Sequence, residues 1–223
     1  MNGDSIEVNA MPTLLVVDLL AEREAFGQKG VEEIIRHFPG HKVLLWAPHT
    51  TNPRDYGFGQ RIDSPEQCDT IVITGSRRNV SQWEPWMDTV ADLIRSTTSP
   101  LYGICFGHQI ICKVLGGEVI RAHEASKFIA EVAHQNGRIT KQLFTHQDHV
   151  VDPGEMNVIG SAEHCEIAIC EHPTRPIKTV QFHPEAVETV LEHSLECGDM
   201  SLEERQLFGN GVQDLDVSSS LLA

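Results

Sequence analysis

The first half of the chain alternates short apolar runs with longer stretches in which apolar residues recur every three or four positions. Thr13-Leu14-Leu15-Val16-Val17-Asp18, Lys42-Val43-Leu44-Leu45-Trp46, Asp69-Thr70-Ile71-Val72-Ile73-Thr74 and Pro100-Leu101-Tyr102-Gly103-Ile104 have almost no polar face. That is the pattern of parallel strands covered on both sides. Between them, Val31, Ile34, Ile35 and Phe38 keep helical spacing until Pro39-Gly40 ends it, and Trp86, Val90, Leu93 and Ile94 mark a helix from about Glu84 to Ser96. Strands and helices in turn predict an α/β fold: a doubly wound, mostly parallel sheet with helices on both faces and function at the carboxyl ends of its strands.

After Gly116-Gly117 the periodicity changes. Val119-Ile120, Phe128–Val132, Arg138–Thr140, Gln142–Thr145, Val158–Gly160 and Ile167–Ile169 are short, β-prone pieces, which predict a small antiparallel patch beside the parallel core. Lys178-Thr179-Val180-Gln181-Phe182 is a further apolar strand, and a closing helix starts near Glu185 and includes Val187, Val190, Leu191 and Leu195. From Glu185 onward there are nine acidic residues and one basic residue, Arg205. The expected division is a lead-in over 1–12, one domain over 13–197, and an acidic, mobile tail over 198–223.

Charge narrows the function. With 17 Lys+Arg against 32 Asp+Glu, the formal net charge of −15 leaves no basic stripe for a nucleic-acid backbone. No apolar run is long enough to span a membrane, and the first ten residues lack the apolar core of a secretory signal. The six cysteines, at 68, 105, 112, 165, 170 and 197, include no Cys-x-x-Cys pair. A reducing, cytoplasmic setting with free thiols is the simplest expectation.

The fourth apolar run leads into Gly103-Ile104-Cys105-Phe106-Gly107, and Ile110–Leu115 then reads as helix. This is the layout of a nucleophile elbow with Cys in place of Ser. A new helix beside the sulfur favours thiolate over thiol, and the N–H of Phe106 is placed to hold an oxyanion. A buried core cysteine on a strand-to-helix turn has the same local sequence. A cysteine nucleophile wants a base, and the base wants an orienter. His183 ends the Lys178–Phe182 strand, and in an extended segment Glu185 points to the same side.

Taken together, these segments resemble the class I (triad-type) glutamine amidotransferases. The resemblance rests on Gly103–Gln109, Leu115-Gly116-Gly117, Thr145-His146-Gln147-Asp148-His149-Val150 and Gln181-Phe182-His183-Pro184-Glu185, in that order. The His146-Gln147-Asp148 segment is most similar to the glutaminase subunit or domain of GMP synthases. The resemblance implies Cys105 as nucleophile on the side-chain amide of glutamine, His183 as acid and base, and Glu185 as its orienter. It implies an oxyanion hole from Phe106 with Gly75-Ser76, and substrate contacts at Gln109, Gln147 and Asp148.

Two departures stand out. The family's oxyanion turn continues Gly-Gly-Pro, whereas this chain has Gly75-Ser76-Arg77, more like stand-alone relatives of which some are γ-glutamyl peptidases. The stretch between Gly117 and Thr145 is also short and irregular. No phosphate loop or dinucleotide fingerprint is present, so no cofactor is expected and ATP handling falls to a separate ATP-dependent synthetase that accepts the ammonia. The alternatives are a γ-glutamyl hydrolase or peptidase acting alone, and a catalytically idle regulatory subunit.

Other chemistry-bearing residues receive plainer readings. His146 with His149, and His164, Cys165, Cys170 and His172, form two sets without standard zinc spacing, so no metal is expected. Asp148 is either a solvated loop acid or a group reaching toward His183 or a partner. Cys112 reads as core, Trp83 and Trp86 as anchors of a helix start, and Arg77 and Arg78 as solvent-facing.

Overall fold

A computed structural model describes residues 11–22, 25–209 and 211–215. In chain order the elements are β1 (Thr13–Val17), α1 (Ala25–Arg36), β2 (Lys42–Trp46), β3 (Gln60–Ile62), β4 (Thr70–Ile73), α2 (Trp86–Ser96), β5 (Leu101–Ile104) and α3 (Phe106–Val114). Then come β6 (Glu118–His134), β7 (Ile139–Asp152), β8 (Asn157–Ala162), β9 (Cys165–Glu171), β10 (Ile177–Val180), α4 (Glu188–Glu196) and α5 (Leu202–Leu207), with a 3-10 turn at Gly211–Asp214. The strands form a 10-stranded sheet in the order β3-β2-β1-β4-β5-β10-β9-β8-β6-β7. From β3 to β10 neighbours run parallel; from β10 to β7 they run antiparallel.

The unbroken apolar runs follow from two-sided burial. On one face, Leu15, Val17, Ile71 and Ile73 pack with Met87, Val90 and Ile94 of α2 and Ile110 and Ile111 of α3. On the other, Leu14, Val16 and Val72 pack with Val31 and Ile34 of α1, while α4 joins that side through Val190 against Phe26. A strand with helices on both faces has no side left for polar residues.

The second half departs from the expected pieces. Val119-Ile120 and Phe128–Val132 belong to one strand, β6, and Arg138–Thr140 and Gln142–Thr145 to another, β7. They make one long hairpin whose register shifts between Arg121 and Ser126. The bulge and the exposed flank of β6 break the alternation that strand reading depends on. The short edge strand β3 also escaped the pattern, because Gln60-Arg61-Ile62 is mostly polar.

The acidic segment read as a tail is folded in its described part. Ser201 and Glu204 form a reciprocal capping box at the start of α5. Phe208 and Val212 are buried against Leu143, Ala186 and Leu191. Acidity marked the outer side of this segment and hid the two apolar anchors. Residues 1–10 of the 1–12 lead-in, and 216–223 of the tail, lie outside the described residues.

Candidate active site

Cys105 sits between the end of β5 and the first turn of α3, with φ 50° and ψ −97°. It is the non-glycine residue of positive φ among those described, a conformation that costs roughly 1–3 kcal/mol and persists only where its surroundings hold it. The flanking glycines serve close packing rather than the turn itself. A Cβ on Gly103 would lie 2.7 Å from the Gly107 backbone, and one on Gly107 would collide with the Ile73 carbonyl. The elbow is thereby wedged between β5 and β4, and Phe106 behind it stacks on Trp86 at 5.8 Å.

His183 follows β10 and is bonded through its backbone N–H to the Leu143 carbonyl at 2.9 Å. Its Nδ1 donates to Oε1 of Glu185 at 2.8 Å, and Glu185 is 1% exposed. Nε2 of His183 and Oε2 of Glu185 are buried without a hydrogen-bond partner. Burial presses the His183 proton affinity down, but the charges of Cys105 and Glu185 outweigh it and hold the imidazole well above its usual range. Gly75 is where the two reacting side chains meet: a Cβ there would stand 2.9 Å from His183 Cε1 and 3.7 Å from Cys105 Cβ.

The remaining predicted residues fall into two groups. Gly75, just past β4, lies beside the nucleophile, and Ser76 after it lines the cavity. Gln147 also lines it, with its side chain drawn away by Arg121 (2.5 Å) and by the carbonyls of Ala122 and His123. Gln109 is 3% exposed, and its Nε2 donates to the Asp148 carbonyl at 2.8 Å and to Oε1 of Gln181 at 3.2 Å. It holds the Gln147-Asp148 backbone in place from behind.

Asp148 is 2% exposed and stands in β7, not in a solvated loop. Its carboxylate accepts from the N–H and hydroxyl of Ser81, both at 2.8 Å, with Arg121 at 3.4 Å. It ties the loop that carries Gly75 and Ser76 to the antiparallel half of the sheet.

Sequence reading passed over several contributors. The Thr145 carbonyl faces Cys105 Sγ at 3.9 Å. Gly30 of α1 lies against Glu185, whose Cγ is 3.5 Å from where a Cβ would stand; glycine inside a helix pattern was the available signal. The cavity, about 250 Å³, runs from Ser76 and His183 past Leu143 to a wall of Asp199, Met200, Glu204 and Phe208. Two bonds fix that wall: Lys127 to Glu204 at 3.1 Å, and the Phe26 N–H to Asp199 at 3.0 Å. Arg77 is exposed on the rim, Arg78 pairs with Glu22, and Cys112 is core.

The comparisons agree with this architecture. The sequence model of the family described as Glutamine amidotransferase class-I matches residues 43–196. A glutamine-hydrolysing GMP synthase subunit of Sulfolobus acidocaldarius is 30% identical over 137 residues, covering 57% of this chain and 73% of that one. The corresponding GMP synthase subunit of Methanococcus aeolicus is 35% identical over 107 residues, 44% of this chain and 57% of that one. A glutamine amidotransferase-like protein of Schizosaccharomyces pombe is 31% identical over 149 residues, 60% of this chain and 58% of that one. The chain thus spans little more than half the length of the last two relatives.

A glutamine amidotransferase from Thermotoga maritima shares the fold with a TM-score of 0.68 at 18% identity, covering 89% of this chain and 86% of that one. No helix among the described residues is long and apolar enough to cross a membrane. By its matched sequence, the chain belongs to the class-I glutamine amidotransferase family.

Proposed function

We propose that this chain hydrolyses the side-chain amide of glutamine and passes the ammonia to a separate synthetase, as the glutaminase subunits of GMP synthases do. The observation that carries the reading is the buried His183–Glu185 pair, which faces Cys105 across Gly75. The thiolate of Cys105 attacks the amide carbonyl, and the N–H groups of Phe106 and the Gly75-Ser76 turn hold the resulting oxyanion. His183, protonated at Nε2, gives that proton to the departing ammonia, leaving a γ-glutamyl thioester. It then takes a proton from water, whose oxygen displaces the sulfur and releases glutamate. Glu185 keeps Nδ1 protonated and the ring in line throughout. The free state of all six cysteines supports a reducing, cytoplasmic setting.

The test is mass spectrometry after incubation with 6-diazo-5-oxonorleucine. The expected result is a single adduct on Cys105, blocked by excess glutamine and absent from Cys105→Ala. A folded protein that takes no adduct overturns the assignment.

One observation favours a second reading, a γ-glutamyl hydrolase. The cavity continues past His183 to the oppositely charged Lys127 and Glu204, with Arg77 on its rim, which offers contacts for a residue beyond the scissile amide. Cleavage of γ-glutamyl dipeptides with free glutamine left intact would select it.

A further inference from the structure

Two histidine and cysteine sets that are far apart in sequence converge beside the nucleophile. His146 and His149 lie on β7, Cys165 opens β9, and His164 occupies the turn just before it. The ligand atoms of His146, His149 and Cys165 all lie within 4.8 Å of one another. Zinc bonds of about 2.0–2.3 Å in a tetrahedron put neighbouring ligand atoms roughly 3.5 Å apart, so closing on an ion needs side-chain movements of only about an ångström.

His146 is oriented as a ligand already. Its Nδ1 is 2.9 Å from the Asp148 carbonyl, and a carbonyl only accepts, so the proton resides on Nδ1 and Nε2 carries a bare lone pair. That Nε2 is buried without a partner, in a side chain belonging to a residue 7% exposed. An outer bond from one ring nitrogen to a carbonyl is what fixes metal-binding histidines elsewhere. Nε2 of His164 is likewise buried and unpartnered, and its ring lies 6.0 Å from that of His146. Cys165 is 4% exposed, and its thiol makes one weak bond, to the Ile167 carbonyl at 3.4 Å, which a bound cation would replace.

We propose that His146 Nε2, His149 and Cys165 Sγ form a zinc site, with the fourth position taken by His164 or by water. Imidazoles and one thiolate, with no carboxylate among them, select zinc over magnesium or calcium. Binding forms the zinc–sulfur bond and releases the Cys165 proton to solvent. A second group, His108, Cys112 and Cys170, is equally close-set, but both nitrogens of His108 are engaged, by Thr179 Oγ1 at 2.8 Å and the Ile167 carbonyl at 3.1 Å. The site does not depend on the proposed reaction.

Two thiols must be removed before the test. Cys105 is the neighbouring nucleophile, and Cys197 is exposed with Sγ 3.8 Å from His193 Nε2. The full chain carrying Cys105→Ala and Cys197→Ser, freed of metal, is titrated with Co²⁺. A thiolate-to-cobalt charge-transfer band with tetrahedral ligand-field bands, saturating at one ion per chain and erased by Zn²⁺, is the expected result. Adding Cys165→Ser removes the charge-transfer band, and His146→Gln weakens zinc binding by roughly 100-fold or more.

In the double variant itself, which needs no change at the site, X-ray absorption of the one-to-one zinc complex should show a sulfur scatterer at about 2.3 Å beside nitrogen scatterers at about 2.0–2.1 Å. No charge-transfer band, a band that survives Cys165→Ser, or a zinc shell without sulfur each overturns the proposal.

Discussion

Replacing Gly75 with alanine places one methyl group where the reacting side chains meet. The added Cβ would stand 2.9 Å from His183 Cε1, 3.6 Å from Nδ1 and 3.7 Å from Cys105 Cβ. Carbon atoms rest about 3.5 Å or more apart, so the imidazole must withdraw by roughly half an ångström. It has little freedom to do so. Nδ1 is held by Glu185 at 2.8 Å, and Glu185 is in turn buried over Gly30.

A misplacement of about 1 Å at a reacting group costs on the order of 100-fold, so half that distance should lower kcat by about 10- to 100-fold. This corresponds to about 1.4–2.7 kcal/mol of lost transition-state stabilisation. Overpacking adds about 1–3 kcal/mol of destabilisation, which a denaturation curve reads separately. The assay is glutamate release under saturating glutamine, with Cys105 labelling by 6-diazo-5-oxonorleucine as a second readout. A folded Gly75→Ala protein whose kcat stays within about twofold of the parent would refute the contact between this turn and the working position of His183.

Two further outcomes follow from groups that the same site holds in place. Asp148→Ala removes the acceptor of both Ser81 bonds and leaves Arg121 facing an empty position, so stability measured in urea should fall by about 3 kcal/mol; a change under about 0.5 kcal/mol would mean the loop does not need this tie. Because His183 holds its proton well above the usual histidine range, the acid form persists as pH rises through 6.5, and the alkaline fall of kcat/KM should lie well above that value. A fall centred on 6.5 would show that the charges of Cys105 and Glu185 do not act on the ring as described.

The parts of this molecule that sequence made legible are those in which one local rule decides. β1, β2, β4 and β5 were visible because covering both faces of a strand leaves an uninterrupted apolar run. The elbow was visible because its glycines, nucleophile and following helix are contiguous, and the structure sets His183 and Glu185 beside it. What stayed hidden depends on pairing between distant segments. The partner of Asp148 was not legible, whether as a solvated acid or as a group reaching toward His183, because nothing in Gln147-Asp148-His149 announces Ser81, 67 positions away. The meeting of His146 and His149 with Cys165 is likewise set by how the antiparallel strands pack, not by spacing along the chain. The wall of the cavity was missed because its anchors, Phe208 and the nearby Val212, stand in a short acidic stretch without a sustained apolar period.

That wall also has a bearing on how the protein is made. Cys105 leaves the ribosome well before His183 and Glu185, and these precede Asp199, Glu204 and Phe208. A nascent chain therefore carries first a thiol without its base, and then a thiol–imidazole couple open on one side. Synthesis runs from the amino end and segments fold as they emerge, so the reactive couple reaches its enclosed form only after translation of the acidic segment. The order of residues thus keeps the sulfur without its base until the segment carrying His183 is made, and leaves the cavity wall as the last part of the site to be supplied.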